Sequence, residues 1–168
     1  MKRGLEIRPF EGTDAEDVRW LLEDAFGDPG EARLVDALRA NGDDVLELVA
    51  IHEQQLYGHI LFSRLVVESK NRSADAVALA PVAVRAQSRG TGVGAALIEN
   101  AHHLLRAAGE ELSVVLGDPA YYGRFGYTHA RAAKFESDWQ GDALQALAFS
   151  PEAPTMGRLL YAPAFADL

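Results

Sequence analysis

The sequence contains no cysteine, has fewer basic than acidic residues, and includes no long apolar run. Without cysteine, a disulfide framework, a thiolate zinc site, an iron–sulfur cluster and a cysteine nucleophile are all excluded. Lysine and arginine number 16 against 25 aspartate and glutamate residues, which gives a formal net charge of -9. Because proteins that bind nucleic acids gain much of their affinity by neutralising phosphates, this charge balance argues against a nucleic-acid partner.

No apolar stretch approaches the roughly 20 residues needed to span a bilayer. The basic start Met1-Lys2-Arg3 continues into Gly4-Leu5-Glu6 rather than into apolar residues, so a secretion signal is not visible. We therefore expect no membrane partner and a cytoplasmic location. The chain of 168 residues is 48% hydrophobic and 24% charged, which is typical of a globular protein. That length suits one hydrophobic core, and we expect one domain over residues 1–168.

The spacing of apolar residues predicts strands towards both ends of the chain and helices between them. Thr13-Asp14-Ala15-Glu16 has the spacing of a capping box and predicts the start of a first helix. A second helix is predicted from Pro29 to Gly42. Residues 143–149 fit either a strand or a helix fragment. The other predicted elements are strands at 5–8, 45–51, 56–67, 77–84, 112–116 and 159–161, and a helix that ends at Gly109. This order predicts a mixed α/β or α+β sheet protein.

A proline and three glycines distinguish the middle of the chain. Pro81 interrupts the predicted strand 77–84 and implies an edge, a bulge or a splayed strand, because proline has no N–H to donate. Gly90, Gly92 and Gly94 then open the following helix, where free backbone amides and the helix dipole favour an anion. Arg85 and Arg89 add local positive charge. These residues alone fit both a phosphate-binding loop and a turn that needs glycine for its backbone angles.

The spacing of the glycines separates the known phosphate-binding loops. A P-loop requires a lysine after its last glycine, and none follows here. The Rossmann pattern Gly-x-Gly-x-x-Gly opens a βαβ unit, whereas this chain has Gly-x-Gly-x-Gly after a hairpin. The segment Gln87-Ser88-Arg89-Gly90-Thr91-Gly92 instead resembles the Arg/Gln-x-x-Gly-x-Gly/Ala pyrophosphate loop of the GNAT superfamily of acyl-CoA-dependent N-acyltransferases.

The resemblance covers almost the whole chain. The segment from Gly117 to Tyr127 and the ending Tyr161-Ala162-Pro163-Ala164-Phe165 are similar to the bacterial YhbS-like branch of the superfamily, with Tyr127 in place of the usual phenylalanine. The implied fold is a mixed, mostly antiparallel central sheet with a splayed middle strand and helices on both faces. The resemblance also implies that the cofactor-binding core lies at residues 77–127 and that the segment 128–168 completes the sheet and the substrate cleft.

The resemblance implies an N-acetyltransferase that moves an acetyl group from acetyl-CoA to a primary amine of a small molecule, peptide or protein. The residues implied to bind the cofactor are Val82, Ala83 and Val84 in the strand, Arg89, Gly90, Thr91, Gly92, Val93 and Gly94 at the loop, and Arg124 and Phe125 beyond it. Tyr122 is implied to give a proton to the leaving thiolate. Since no cysteine and no Gly-x-Ser-x-Gly segment is present, direct attack by the amine in a ternary complex is favoured.

The general base is not identified by the sequence. Glu23, His59 and Asp118 are candidates by residue type only. His102 and His103 are adjacent on a helix and face different directions, so we expect no metal site there. A homodimer formed through the sheet edges would fit the family. Two other functions stay open: a non-catalytic acyl-CoA-binding or partner-binding module on the same fold, and a nucleotide-binding domain for ATP or NAD.

Overall fold

The computed structural model describes residues 4–167, so Met1 to Arg3, on which the expectation about a secretion signal rests, lie outside the described residues, as does Leu168. The strands are β1 (Glu6–Pro9), β2 (Asp44–His52), β3 (Gln55–Ser69), β4 (Arg72–Val84), β5 (Leu112–Leu116), β6 (Phe135–Glu136), β7 (Leu144–Ala148) and β8 (Gly157–Tyr161). The α-helices are α1 (Ala15–Phe26), α2 (Gly30–Ala40), α3 (Val93–Ala107), α4 (Pro119–Tyr122) and α5 (His129–Ala132).

The strands form one sheet in the order β1-β2-β3-β4-β5-β7. Neighbours are antiparallel except for β4 with β5 and β6 with β8, which run parallel. The long strand β3 pairs with β2 along its first half and with β8 from Leu65 to Glu68. This sheet is the mixed, mostly antiparallel arrangement that the resemblance implied.

Alternating side chains of the central strands build two cores, one on each face of the sheet. Leu48, Ile60 and Phe62 pack with α3, whereas the interleaved Val49 and Leu61 pack with α1 and α2. Successive side chains of a strand point to opposite faces, which explains why adjacent residues enter different cores. Helices therefore cover both faces of the sheet, as expected.

The start of α1 differs from the predicted capping box. Thr13 lies in a short 3-10 turn, and the Asp14 carboxylate accepts a hydrogen bond from the Glu11 amide at 2.8 Å. The Arg8 guanidinium contacts the two Asp14 oxygens at 2.8 and 3.0 Å and lowers the pKa of that carboxyl. The box predicted between Thr13 and Glu16 is therefore wrong. Arg8 of β1 holds Asp14 in place, and the α-helix begins only at Ala15.

Two strands differ from the boundaries suggested by composition. β4 starts at Arg72, five residues earlier than predicted, because its polar first residues continue the ladder with β3 from the Ser69–Arg72 pair onward. The ambiguous segment 143–149 is the strand β7, which pairs antiparallel with β5. Among residues 4–167, no helix is long and apolar enough to cross a membrane.

Candidate active site

The centre of the sheet opens at Pro81. β4 pairs with β5 only as far as Leu79, which lies opposite Val115. On its other edge, the register with β3 passes from Leu79–Phe62 to Val82–Ile60, so Ala80 and Pro81 together face one residue of β3. Two residues opposite one define a bulge, which bends the strand that carries it. The bulge is one of the three outcomes that Pro81 predicted, and the end of the pairing with β5 gives the splayed strand that the resemblance implied.

The backbone beyond the bulge has one free edge. The Arg85 amide donates to the Tyr57 carbonyl on β3 at 2.9 Å. Amide directions alternate along a strand, so the Val84 and Val82 amides point away from β3, and the Ala83 amide points towards it. β5 no longer pairs with this part of β4, which leaves Val82 and Val84 facing the opening.

The glycine loop connects this free edge to the N-terminus of α3. Gly90 and Gly92 have φ values of +80° and +89°, a region that L-residues rarely adopt. The Thr91 amide and hydroxyl both donate to the Ser88 carbonyl, which closes the turn. The Gly92 carbonyl accepts the first helical bond, from Ala96 at 2.9 Å, so the amides of the first turn of α3 have no partner within the helix. Both glycines are thus needed to present these amides at the surface.

The two arginines beside the loop point to different places. Arg85 lies over the Tyr57 ring at 4.8 Å and donates to Gln55 at 3.3 Å, which directs it away from the loop. Arg89 is exposed and forms no ion pair within residues 4–167. Gly94 has a packing reason of its own, because a Cβ there would lie 2.7 Å from the Tyr121 hydroxyl. Arg89 is therefore the cation available to an anion at the loop.

A cleft of about 500 Å³ lies at the opening between β4 and β5. Its floor consists of the strand ends, including Pro81, Val82 and Val115. Tyr122, which packs with the α3 core, borders one side. The other side is lined by residues of α1, α2 and the C-terminal segment: Phe26, Glu31, Leu34, Trp139, Tyr161 and Phe165. The cleft thus connects the two faces of the sheet through the gap made by the bulge.

Tyr122 reaches the cleft from the end of α4. The Asp118 carboxylate caps this short helix by accepting from the Ala120 amide at 2.9 Å. The Tyr122 ring stands edge-on to Tyr121, with ring centroids 5.0 Å apart, and to Tyr127 at 6.0 Å. Burial, and secondarily the neighbouring Tyr121, raises the pKa of Tyr122 to about 12. Its phenol is therefore protonated at neutral pH.

Gly117 makes room for the Tyr122 ring, since a Cβ on Gly117 would lie 2.5 Å from the ring atom Cε2. We expect Gly117→Ala to displace the ring and to lower the turnover number about a hundredfold, as a misplaced catalytic group can. The matched control is Gly123→Ala, because a Cβ at Gly123 meets nothing within 4 Å. Steady-state assays of both variants check this, and equal activity of the two would contradict a positioning role for Gly117.

Tyr127 occupies the position where the family usually has phenylalanine, and its hydroxyl belongs to a buried polar cluster. The hydroxyl lies 2.9 Å from His102 Nε2 and 2.8 Å from Ser113 Oγ. Burial, with a smaller effect of Arg106, lowers the pKa of His102 to about 4. His102 is therefore neutral, and its ring is hydrogen-bonded to Tyr127 within the core. The adjacent His103 is exposed.

None of the three candidate bases lines the cleft. Glu23 is exposed on α1, and Asp118 serves as the cap of α4. His59 is fully buried, and its Nε2 donates to the Glu47 carboxylate at 2.6 Å. Burial lowers the pKa of His59 more than Glu47 raises it, so the ring is neutral. The Arg39 guanidinium also donates to both Glu47 oxygens, at 2.6 and 2.9 Å, which makes this a structural network between α2 and the sheet.

Glu31 and Trp139 line the cleft although no motif in the sequence pointed to either residue. They come from segments separated by more than a hundred residues, and no local spacing connects them. The ending that contains Tyr161 and Phe165 was part of the family resemblance, and it was the one signal that pointed to this wall.

Comparison with known families now identifies the class of protein. A family model described as an acetyltransferase (GNAT) domain matches residues 6–130. The chain belongs to the GNAT family of acetyltransferases. Membership confirms the resemblance seen in the sequence and the enzyme class that it implied, an acyl-CoA-dependent N-acetyltransferase.

Relatives place the chain near one branch of the family. It is 35% identical over 129 residues, or 76% of either chain, to the uncharacterized N-acetyltransferase YhbS of Escherichia coli K12. The crystal structure of Escherichia coli YhbS in complex with CoA superposes with a TM-score of 0.90 and 30% identity, covering 99% of this chain and 94% of that one. A GNAT acetyltransferase from Brucella melitensis in complex with acetyl-CoA gives a TM-score of 0.80 and 34% identity, covering 98% and 99%.

Proposed function

We propose that this protein transfers the acetyl group of acetyl-CoA to a primary amine by direct attack in a ternary complex. The observation that carries the proposal is the gap in the sheet. Val82 and Tyr122 line the cleft at this gap, and the free edge of β4 leads from it through Val84 to the glycine loop. The backbone amides, the loop and the phenol each supply a function that thioester aminolysis requires.

The donor would lie on the α3 side of this gap. The amides of Gly90 and of residues 92–94, with Arg89 beside them, suit a pyrophosphate because they combine unpaired donors, a helix dipole and a positive charge, whereas the Thr91 amide is used within the turn. The free edge of β4 suits the amide-rich pantetheine arm through the amides of Val82 and Val84, whereas the Ala83 amide between them points towards β3. Arg124, stacked 5.5 Å from the Tyr121 and Phe125 ring centroids, lies near the same side. The CoA and acetyl-CoA complexes of the two structural relatives support this choice of donor.

The acceptor would enter from the α1 and α2 side. Its neutral amine nitrogen attacks the thioester carbon, and a C–N bond forms as the C–S bond breaks. An amide from Val82 or Val84 would stabilise the charge on the carbonyl oxygen, a contribution of about 3 kcal/mol per donor in comparable sites. Tyr122 gives its proton to the leaving sulfur and regains one from the attacking nitrogen, so the products are an amide and CoA.

Titration of the protein with acetyl-CoA, CoA, ATP and NAD in separate calorimetric runs tests the donor site. We expect micromolar binding of the two CoA ligands only, followed by thiol release when a primary amine is added. Binding of CoA without thiol release from any amine would favour the non-catalytic binding module. A preference for ATP or NAD would overturn the assignment of the loop.

A further inference from the structure

The α1 and α2 side of the cleft carries a single charge. Glu31 is the only charged side chain among the described residues that line the cleft. It is half-buried in the first turn of α2, and its carboxylate forms no hydrogen bond or ion pair within residues 4–167. On the same helix, Asp36 lies beside Arg19 and Arg39 instead. Apart from the dipole at the start of α2, no charge among the described residues compensates this carboxylate, so a cationic ligand in the cleft would gain a charged partner.

The wall beside Glu31 is aromatic. Trp139 stands edge-on to Tyr161 with centroids 4.9 Å apart, and Phe165 follows at 5.5 Å from Tyr161. Trp139 and Phe26 are each 40% exposed, so large apolar surfaces border the opening. Burial raises the pKa of Tyr161 to about 12, which keeps this phenol neutral. Such a wall buries apolar groups, and its ring faces also attract cations.

The single carboxylate and the aromatic wall argue against several classes of acceptor. A polyamine or an aminoglycoside would bring several cations to one carboxylate and leave the others unpaired against apolar side chains. A free amino acid would place its own carboxylate in a cleft whose one charge is negative, which is unfavourable. A peptide would bury backbone groups against a wall on which Phe26, Leu34 and Phe165 offer no side-chain donor or acceptor. Glu31, Trp139 and Tyr161 are too few to pair those groups.

We propose that the acceptor is a small primary monoamine with an aromatic or branched apolar body, and that Glu31 binds its ammonium group while Trp139, Tyr161 and Phe165 cover the body. The ammonium gives one proton to solvent water before the neutral nitrogen attacks the thioester carbon. The proposal rests on the proposed function, because the bound amine is an acceptor only if the protein transfers an acetyl group. The acidic net charge of -9 draws cations towards the protein in the same sense.

The first experiment compares Glu31→Gln with Glu16→Gln. Both residues lie in the first turn of a helix, so both substitutions remove the same favourable interaction with the helix dipole, but Glu16 is exposed and lies outside the cleft. With 2-phenylethylamine as the acceptor and saturating acetyl-CoA, we expect Glu31→Gln to raise KM about tenfold or more with a smaller change in kcat, as loss of a charged hydrogen bond does. Glu16→Gln should leave both constants unchanged.

The second experiment tests the apolar wall by comparing two amines of equal charge. We expect Trp139→Ala to raise KM for 2-phenylethylamine several-fold and to leave KM for ethylamine within about twofold, because only the larger amine contacts the ring. Equal effects on both amines, faster acetylation of spermidine than of 2-phenylethylamine, or equal behaviour of Glu31→Gln and Glu16→Gln would overturn the substrate class while the acetyltransferase activity stands.

A binding measurement separates this proposal from the proposed function. Calorimetric titration of 2-phenylethylamine into the CoA complex of each variant needs no turnover. A tenfold weaker affinity in Glu31→Gln alone supports the site even if no amine is acetylated, in which case the proposed function fails and the ligand class stands. Binding that is absent from the unmodified protein, or that does not depend on Glu31, overturns the site.

Discussion

Replacing Tyr122 with phenylalanine is expected to lower the turnover number at least about a hundredfold, the usual contribution of a general acid. The substitution removes only the hydroxyl, and the ring continues to pack on Tyr121 and Tyr127. The affinity for acetyl-CoA should therefore stay within about twofold. Steady-state kinetics give the first quantity and calorimetric titration the second.

The pH dependence gives the Tyr122 assignment a second test. Because burial raises the pKa of Tyr122 to about 12, the phenol stays protonated throughout the range in which the enzyme is assayed. The proton donor is lost only as the pH rises through that value. The plot of kcat against pH should consequently show no fall between pH about 7 and 10, the range in which an unperturbed phenol would begin to ionise.

Tyr121→Phe is the matched control for this experiment. Tyr121 is adjacent in sequence and loses the same atom, but its ring lies against Phe125 and α3 rather than in the lining of the cleft. We expect nearly normal turnover. If the two variants lose activity equally, or if Tyr122→Phe retains full activity, the hydroxyl of Tyr122 is not the acid.

Much of the fold was predictable because its signals are local. Pro81 removes a hydrogen-bond donor wherever it sits in a strand, so a single residue predicted an edge, a bulge or a splayed strand. The structure has a bulge there, and the pairing with β5 ends. The sequence Gly90-Thr91-Gly92 favours a turn between a strand and a helix, because glycine readily adopts the positive φ values that this turn uses. The helix α3 and the strand β5 were likewise predicted from the apolar spacing of their own residues.

Features that depend on a distant partner were not predictable. The cap of α1 is decided by Arg8 on β1, which binds Asp14 and excludes the capping box read from Thr13 and Glu16. β7 is a strand because β5 offers it an edge, whereas its own residues fit two states. The cleft joins Glu31 of α2 to Trp139, and only the folded chain brings the two together.

Arg89 is an exposed cation beside the glycine loop. We expect Arg89→Glu to weaken acetyl-CoA binding about ten- to a hundredfold, because it replaces an attraction to the pyrophosphate with a repulsion beside unscreened backbone donors. Arg89 is exposed and forms no ion pair within residues 4–167, so the substitution should not alter the thermal midpoint of unfolding. Binding of the wild-type protein should also weaken with added salt, and this dependence should shrink in the variant.

The control for this variant is a reversal of the same charge far from the site. Lys70 lies exposed in the turn between β3 and β4, and Lys70→Glu changes the net charge of -9 by the same two units as Arg89→Glu. A general electrostatic effect of an acidic protein on an anionic ligand would weaken binding equally in the two variants. A local phosphate site predicts a large loss for Arg89→Glu and almost none for Lys70→Glu, so calorimetric titrations of the pair decide whether the cation beside the glycines binds the donor or is merely solvated.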